Sequence, residues 1–295
     1  MISGSKKNYI AIGIGIISVS TAAIFVKLST APSSVIAAYR LLFAVIILSI
    51  PTIIYYRNEL RNITKNDILY SILSGGLLAL HFLTWFESLK YTSVASSVVI
   101  VTLQPIFAMI GAFIFFKEKV SRIQLLGGLL AILGGLMIGW GDLKVGNLAL
   151  LGDFLALLGA FFVTGYWLVG QKLRKRLSIL PYVFLVYSTS SIILIAYNII
   201  MKVDLIHYSL YDWKLFLGLA IIPTIFGHTF LNWAIKFVNT TTISISILAE
   251  PIGASFLAYI ILGEKLNITQ IIGAVIIFIG ILIYLINVHR QNDTR

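Results

Sequence analysis

Residues 239–266 read NTTTISISILAEPIGASFLAYIILGEKL and place a carboxylate and a proline inside an apolar stretch long enough to cross a membrane as a helix. A charged side chain near the middle of a bilayer costs about 2.5–3.5 kcal/mol on insertion scales. We therefore expect Glu250 to face a wet or protein-lined interior. Pro251 lacks a backbone donor and is expected to loosen the helix one turn earlier.

The same pattern occurs a second time upstream, where residues 88–119 read SLKYTSVASSVVIVTLQPIFAMIGAFIFFKEK. The two stretches and the residues after them align without gaps. Identical pairs include Lys90 and Lys236, Pro105 and Pro251, Glu118 and Glu264, Lys119 and Lys265, Gly127 and Gly273, and Gly134 and Gly280. Several of these residues are polar, so shared hydrophobicity does not explain the match. Internal duplication in a membrane chain is typical of transporters whose binding site lies between the two halves.

The composition indicates an all-α integral membrane protein. Of its 295 residues, 59 % are hydrophobic and 11 % charged, whereas soluble domains carry about 25 % charged residues. The apolar runs have the length of about 20 residues that a membrane-spanning helix needs, and membrane β-strands would be half as long and alternating. The ten predicted spans are residues 8–28, 33–56, 67–88, 92–116, 121–139, 150–171, 179–201, 212–235, 239–262 and 267–287.

The net charge of +11 comes mainly from Lys and Arg residues in the loops between the predicted spans. With both termini in the cytoplasm, most Lys and Arg residues fall in cytoplasmic loops, which predicts a multi-pass protein of the cell membrane and no nucleic-acid partner. Five spans per copy make the second copy inverted. The predicted domains are therefore two oppositely oriented five-helix repeats, residues 8–139 and 150–287. The basic run KLRKR, residues 172–176, is expected to face lipid headgroups.

Polar and aromatic side chains inside the spans predict a shared substrate cavity between spans 1, 3, 4, 6, 8 and 9. Gln104 and Glu250 are equivalent residues before the two prolines, and His81 and His228 fall one residue out of register on spans 3 and 8. Residues near the midplane on facing helices can line one chamber across a pseudo-two-fold axis. The candidate substrate-binding residues are His81, Trp85, Gln104, Tyr166, Trp167, His228, Asn232, Trp233 and Glu250.

Each candidate also has a structural interpretation. Glu250 is a proton-coupling carboxylate or counter-charge to a substrate amine, or else a hydrogen-bonded group beside the proline break. Gln104 suits a cavity wall or a tie between helices. The histidines are cavity residues that can carry protons or satisfied interior side chains, and no further ligands indicate a metal or another cofactor. The tryptophans form an interfacial belt or stack on planar ligands.

Four further residues are assigned structural roles. Arg40 and Glu87 lie within spans 2 and 3, where an ion pair between them is preferred to a clamp for a substrate carboxylate. Pro105 and Pro251 break spans 4 and 9. Glycines at Gly127–Gly135 and Gly273–Gly280 favour close packing of spans 5 and 10.

An enzymatic function is not expected. The sequences GWGD, which ends at Asp142, and YD, which ends at Asp212, match the motifs of intramembrane aspartyl proteases. Their order is reversed, and both aspartates fall in outer loops where Asp is an ordinary turn residue. No nucleophile and base occur at a usable spacing.

The sequence resembles the drug/metabolite transporter superfamily, in particular its ten-helix members with two EamA domains. The resemblance covers nearly the whole chain and is carried by AAYRLLFA around Arg40, by the runs that end in LQP and AEP, and by FKEK and LGEK. The second half departs from the first, with Tyr187 and Ser188 in place of Tyr39 and Arg40 and with Glu250 in place of Gln104.

The resemblance implies a secondary transporter of small organic solutes, often an exporter of amino acids or related metabolites, that works by alternating access. Its partners would be a small-molecule substrate and the lipid bilayer, and we expect a monomer, with a homodimer as the alternative. Proton coupling would reside in Glu250. A solute or ion channel and a membrane scaffold without transport activity are the alternatives in other functional classes.

Overall fold

The computed structural model describes residues 6–139, 146–263 and 268–293, and these residues form ten helices with no strand among them. The first five helices are α1 (Lys6–Val19 and Ala22–Leu28), α2 (Ser33–Tyr55), α3 (Lys65–Ser88), α4 (Val94–Val101 and Gln104–Phe116) and α5 (Arg122–Gly139). A short helical turn, Arg57–Arg61, joins α2 to α3. Glu264, Lys265 and Asp142 lie outside the described residues.

The other five helices share with the first five a break in the fourth helix of the set, but they differ in that α6 is continuous and α8 is divided. They are α6 (Gly146–Leu173), α7 (Ile179–Ile200), α8 (Leu210–Leu219, Ala220–Thr229 and Phe230–Ala234), α9 (Thr240–Ile247, Glu250–Leu257 and Ala258–Leu262) and α10 (Ile268–Asp293). Segments Ala220–Thr229 and Ala258–Leu262 are π-helical. Among the described residues, nine helices are long and apolar enough to cross a membrane, and the apolar part of α5, Arg122–Met137, is shorter. The prediction of an all-helical membrane fold with ten helices is confirmed.

Side chains with a short hydroxyl or amide fix where several helices begin. Ser93, Asn239 and Ser209 precede α4, α9 and α8, and each accepts a hydrogen bond from the backbone N–H three residues later. Thr64 and Asp67 form a reciprocal capping box at the start of α3. These bonds satisfy amides at the first turn that no helical carbonyl reaches.

The burial pattern is that of a protein in lipid. Isoleucine, leucine and phenylalanine side chains such as Ile50, Phe115 and Ile200 are exposed on the outside of the bundle. Serine, threonine, histidine and even arginine side chains such as Arg40 are buried inside it. Lipid tails solvate the apolar exterior, so polar groups are retained where other helices can satisfy them.

Helices α5 and α10 pack through their glycines, as the sequence analysis predicts. A Cβ atom at Gly134 would lie 2.6 Å from the Gly273 carbonyl oxygen, and one at Gly280 would lie 2.5 Å from the Ala131 amide nitrogen. The backbones therefore touch directly, which only residues without a side chain allow.

The basic run between α6 and α7 contacts protein groups of both halves. The Lys172 ammonium donates to the Tyr70 hydroxyl of α3 at 2.6 Å, and Arg176 pairs with Asp67 of α3 at 3.3 Å. The Arg174 side chain is buried and donates to the Asn232 carbonyl of α8 at 3.1 Å. This burial lowers the pKa of Arg174 to about 10. Residues 172–176 thus connect the halves, and we call the membrane face that carries them the basic end.

Candidate functional site

A closed cavity of about 20 Å³ lies in the centre of the bundle. One water molecule needs about 10–15 Å³ of such space, so this conformation leaves no room for a larger solute. The six helices around it, α1, α3, α4, α6, α8 and α9, are those that the sequence analysis assigns to the cavity. The lining residues are Val19, Ala22, His81, Trp85, Val101, Gln104, Val163, Trp167, His228, Leu231, Ile247 and Glu250.

Breaks in α4 and α9 bring Gln104 and Glu250 to the cavity. Each residue begins the second helical segment of its span, and a proline follows it directly. A proline has no N–H for the preceding turn and its ring crowds the carbonyl four residues earlier, so the helix is interrupted just before this point. Beside the break in α9, the Ser20 hydroxyl, which lies between the two segments of α1, donates to the Glu250 carbonyl at 3.3 Å.

Two stacked pairs of rings form the aromatic wall. His81 and Trp85 of α3 stack with ring centroids 5.4 Å apart, and Trp167 of α6 stacks on His228 of α8 at 5.6 Å. The two imidazoles are 6.4 Å apart. His81 is oriented by the Gly159 carbonyl, to which its Nδ1 donates at 2.9 Å.

The π-helical segment of α8 contains His228, which faces His81 although the two histidines are one residue out of register in the repeat. A π-turn closes its hydrogen bond five residues back and so holds about one residue more than an α-turn. The Thr224 hydroxyl bonds the carbonyl five residues earlier at 2.8 Å, and the Thr229 hydroxyl bonds that of Thr224 at 3.2 Å. His228 lies near the end of this segment and lines the cavity.

Several polar atoms of the wall have no partner within the described part of the chain. They are Trp85 Nε1, Trp167 Nε1, Gln104 Oε1 and His228 Nδ1. The Glu250 carboxyl likewise has no donor within hydrogen-bonding distance among the described residues, although it interacts electrostatically with Arg40. Buried polar groups without partners are costly, and their concentration around one cavity indicates a place for a polar ligand.

Tyr166 and Asn232 do not line the cavity. The Asn232 amide donates to the Tyr166 hydroxyl and to the His228 carbonyl, the latter at 2.7 Å. The Tyr166 ring is 6.2 Å from the His228 ring and fully buried. Both residues therefore stand behind His228 and hold α6 and α8 together.

The assignment of Trp233 to the cavity is wrong. Trp233 lies in a separate apolar groove of about 360 Å³ between α1 and α8, together with Ile10, Ile14 and Phe230. It follows Asn232 directly, and one step along a helix turns the side chain by about 100°. Asn232 points towards α6, so Trp233 points away from the centre.

The expected ion pair between Arg40 and Glu87 does not form. Glu87 pairs with Lys90 at 2.8 Å in a partly exposed position at the end of α3. Arg40 instead points into the bundle, where its Nε donates to the Thr224 hydroxyl at 3.0 Å and its Cζ lies 4.2 Å from the centre of the Phe82 ring. The ion pair was predicted from the depths of Arg40 and Glu87 along their helices. The direction in which each side chain points around its helix axis was not considered.

Sequence reasoning also missed the apolar and small residues of the wall, among them Ala22, Val163 and Ile247. Such residues are common throughout the spans, so no local signal separates those at the cavity from those in ordinary helix contacts. Thr224, the partner of Arg40, was missed for the same reason.

A hydrogen-bonded tie closes the bundle at the basic end. The Glu118 carboxylate, after α4, accepts from the Gln171 amide at 2.7 Å and from the Asn239 amide at 2.8 Å. The Gln171 oxygen accepts from the Thr240 backbone N–H at 2.7 Å. The tie joins α4 of the first half to α6 and α9 of the second.

A second tie lies at the opposite end, where α8 begins. The buried Asp212 carboxylate accepts from the Ser29 hydroxyl at 2.7 Å, from the Thr30 backbone N–H at 2.9 Å and from the Ser209 hydroxyl at 2.6 Å. It therefore holds the loop after α1 against α8. The Asp212 of the YD sequence thus accepts hydrogen bonds at the start of α8 and from the loop after α1.

The comparison with known families gives one match in two parts. The sequence profile of the EamA-like transporter family matches residues 6–140 and 150–286.

The individual relatives have low sequence identity to this chain. The uncharacterized transporter YyaM of Bacillus subtilis (strain 168) is 26 % identical over 83 % of this chain and 82 % of its own length. The uncharacterized transporter YxxF of the same organism is 22 % identical over 79 % of this chain and 74 % of its own length. The riboflavin transporter ImpX of Fusobacterium nucleatum subsp. nucleatum is 24 % identical over 78 % of this chain and 82 % of its own length.

One solved crystal structure has the same fold. It superposes with a TM-score of 0.74 at 15 % identity, and the match covers 96 % of this chain and 98 % of that chain.

Proposed function

The chain belongs to the EamA-like transporter family, and we propose on this premise that it is a secondary active transporter of a small organic solute. The solute is an amino acid or a related metabolite, the direction is export across the cell membrane, and transport is coupled to protons. The site is the central cavity, and Glu250 is the group that exchanges a proton or binds the substrate amine.

The observation that carries this proposal is the closed cavity with unpartnered polar atoms contributed by both halves of the chain. Gln104 belongs to the first half and Glu250 to the second, and both face the same space. In secondary transporters, broken helices from two repeats meet at a midplane substrate site in this way.

The ties at the two ends support alternating access. Glu118 connects the halves at the basic end, and Asp212 holds helices together at the other. The residues that line the cavity are all buried, and this supports an assignment of the conformation to an occluded intermediate. A channel needs a continuous polar pore, whereas a carrier passes through such a closed state.

The orientation follows from charge. The basic end carries residues 172–176 together with Lys65 and Lys117, and we assign it to the cytoplasm by the positive-inside rule. Both termini then lie in the cytoplasm, and the repeats 8–139 and 150–287 are inverted relative to each other. The glycine contacts of α5 and α10 form within one chain, which supports a monomer.

A second candidate substrate is a planar heterocycle. One relative is named a riboflavin transporter, and the wall of this cavity contains two parallel or nearly parallel stacks, Trp167 on His228 and Trp85 on His81. Flat ring systems bind between such aromatic faces.

Reconstituted protein tests the proposal. A thermal-shift panel of amino acids, flavins, nucleobases and amines first identifies ligands, because a selective ligand raises the unfolding temperature by mass action. Liposomes preloaded with an unlabelled hit should then take up the labelled compound saturably and faster than empty liposomes. Flux without saturation or counterflow would indicate a channel, and absence of flux with every hit would indicate a scaffold.

A further inference from the structure

The Arg40 guanidinium is a buried charged group with most of its donors unused. It is fully buried in α2, its Nε donates to Thr224 at 3.0 Å, and its Nη1 and Nη2 have no hydrogen-bond partner. A guanidinium presents five N–H donors, so four of them are unused. Leaving such donors unused in the interior is unfavourable unless a ligand completes them.

No acid within the described residues forms an ion pair with Arg40. Glu87 is engaged by Lys90 at 2.8 Å. Glu250 feels the charge of Arg40, but it lies beyond the distance of an ion pair. The ring of Phe82, 4.2 Å from Cζ, provides only a partial counterpart through its electron-rich face.

The guanidinium lies one aromatic layer behind the cavity wall. Phe82 contacts Arg40 on one side, and its ring centre is 5.6 Å from that of His228, a lining residue. The same His228 has an unpartnered Nδ1, and Trp167, stacked on it, has an unpartnered Nε1. Because the cavity of about 20 Å³ must widen to admit any solute, displacement of Phe82 and His228 would join the guanidinium to the space that Glu250 faces.

We propose that Arg40 binds a carboxylate of the substrate through Nη1 and Nη2, while Glu250 binds the ammonium group of the same molecule. The substrate is then a zwitterion. The two N–H groups of a guanidinium edge match the two oxygens of a carboxylate. Arg40 is on this view a specificity-determining residue rather than a structural one.

Charge balance supports a zwitterion over a simple amine or acid. Around the cavity, the described residues include a buried cation, Arg40, and a buried carboxyl, Glu250, that are not in contact with each other. An amine alone would satisfy Glu250 and leave Arg40 without an anion, and an acid alone would do the reverse. A zwitterion satisfies both at once and adds no net charge to the low-dielectric interior.

The inference rests on the proposed transport function, and a set of phenylalanine analogues tests it. Purified wild-type protein is titrated with phenylalanine, phenylalaninamide, phenethylamine and 3-phenylpropanoate, using the shift in unfolding temperature and direct binding. Phenylalanine is expected to bind about tenfold or more tightly than the amide or the amine, since each lacks the carboxylate. Equal binding of phenylalanine and its amide would overturn the proposal without any variant.

Variants then test whether Arg40 causes the preference for phenylalanine over phenylalaninamide and phenethylamine. R40M should reduce phenylalanine affinity to that of phenethylamine and leave phenethylamine binding unchanged, and R40K should restore part of the preference. Lys90→Met is the matched control, because it removes a partly exposed cation that pairs with Glu87, and it should keep the preference for phenylalanine. A phenylalanine preference that persists in R40M would refute the role of Arg40. If the wild type bound none of the four compounds and no other amino acid, the amino-acid substrate of the proposed function would be refuted, and the planar heterocycle would remain as the substrate to test.

Discussion

Gln104 and Glu250 are the first residues of the helical segments that follow the breaks in α4 and α9, and both line the central cavity. The two halves thus build the same local structure, but only the second half places a carboxyl at this position. Glu250 is therefore the one carboxyl among the residues that line the cavity in the described structure, and the proposed proton coupling is tested there first.

Replacing Glu250 by Gln keeps the shape of the side chain and removes its ability to exchange a proton. We expect E250Q to lose the response of solute flux to an imposed pH gradient, while counterflow between labelled and unlabelled solute continues. Glu87→Gln is the control, because Glu87 pairs with Lys90 in a partly exposed position away from the cavity. A pH response in E250Q equal to that of the wild type would rule out the coupling role.

Glu118→Ala removes the acceptor that Gln171 and Asn239 share at the basic end. Because hydrogen bonds to charged groups contribute about 1.5–3 kcal/mol each, we expect the basic end to open more often. The chain has 0 cysteines, so a single V163C substitution in the cavity wall gives one thiol for labelling. Its reaction with a reagent added at the basic end should accelerate about tenfold in E118A.

The control for this experiment is Glu87→Ala, which should leave the labelling rate at the level of V163C alone. Equal rates in E118A and E87A would show that the tie does not limit access to the cavity.

Gly280→Ala places a Cβ atom 2.5 Å from the Ala131 amide nitrogen and 2.6 Å from the Gly127 carbonyl oxygen. Since backbone atoms of another helix cannot yield as a flexible side chain does, we expect a loss of about 1–3 kcal/mol in stability. Thermal unfolding in detergent measures it. Gly13→Ala in α1 is the comparison, because no atom lies within 4 Å of its added Cβ, and it should be neutral or stabilising by about 0.4–1 kcal/mol.

Asp212→Ala removes the acceptor for Ser29, Thr30 and Ser209 at the start of α8. We expect a fall in the unfolding temperature, since the Thr30 backbone N–H and the hydroxyls of Ser29 and Ser209 lose a charged acceptor. Asp212→Asn, which retains one acceptor oxygen, should be intermediate. Substrate affinity of the folded fraction should stay unchanged, and a selective loss of affinity without loss of stability would contradict a purely structural role.

Much of the architecture was accessible from the sequence because membrane helices are specified by strong, redundant signals. The apolar runs set the number of helices, and the repeat around Pro105 and Pro251 pointed to the six helices of the cavity. The glycine spacing in α5 and α10 predicted their backbone contact, since only glycine permits it.

The errors have a common physical cause, which is rotation about the helix axis. Arg40 and Glu87 were paired from their depths, yet Arg40 turns inwards and Glu87 turns towards Lys90. Trp233 was placed in the cavity although it is adjacent to Asn232 and faces elsewhere. Mixed apolar sequences give little information on rotation, and the π-helical Ala220–Thr229 shifts the phase of α8 further.

The stack of Trp167 on His228 gives the protein a built-in optical reporter. Indole emission responds to the polarity of its surroundings and to a neighbouring imidazole, and Trp85 forms a similar pair with His81. A solute that separates these rings must alter the fluorescence. Replacing Trp213 and Trp233 by phenylalanine reduces the background from indoles outside the cavity. Occupancy and exchange of the site can then be followed in real time without attaching a dye.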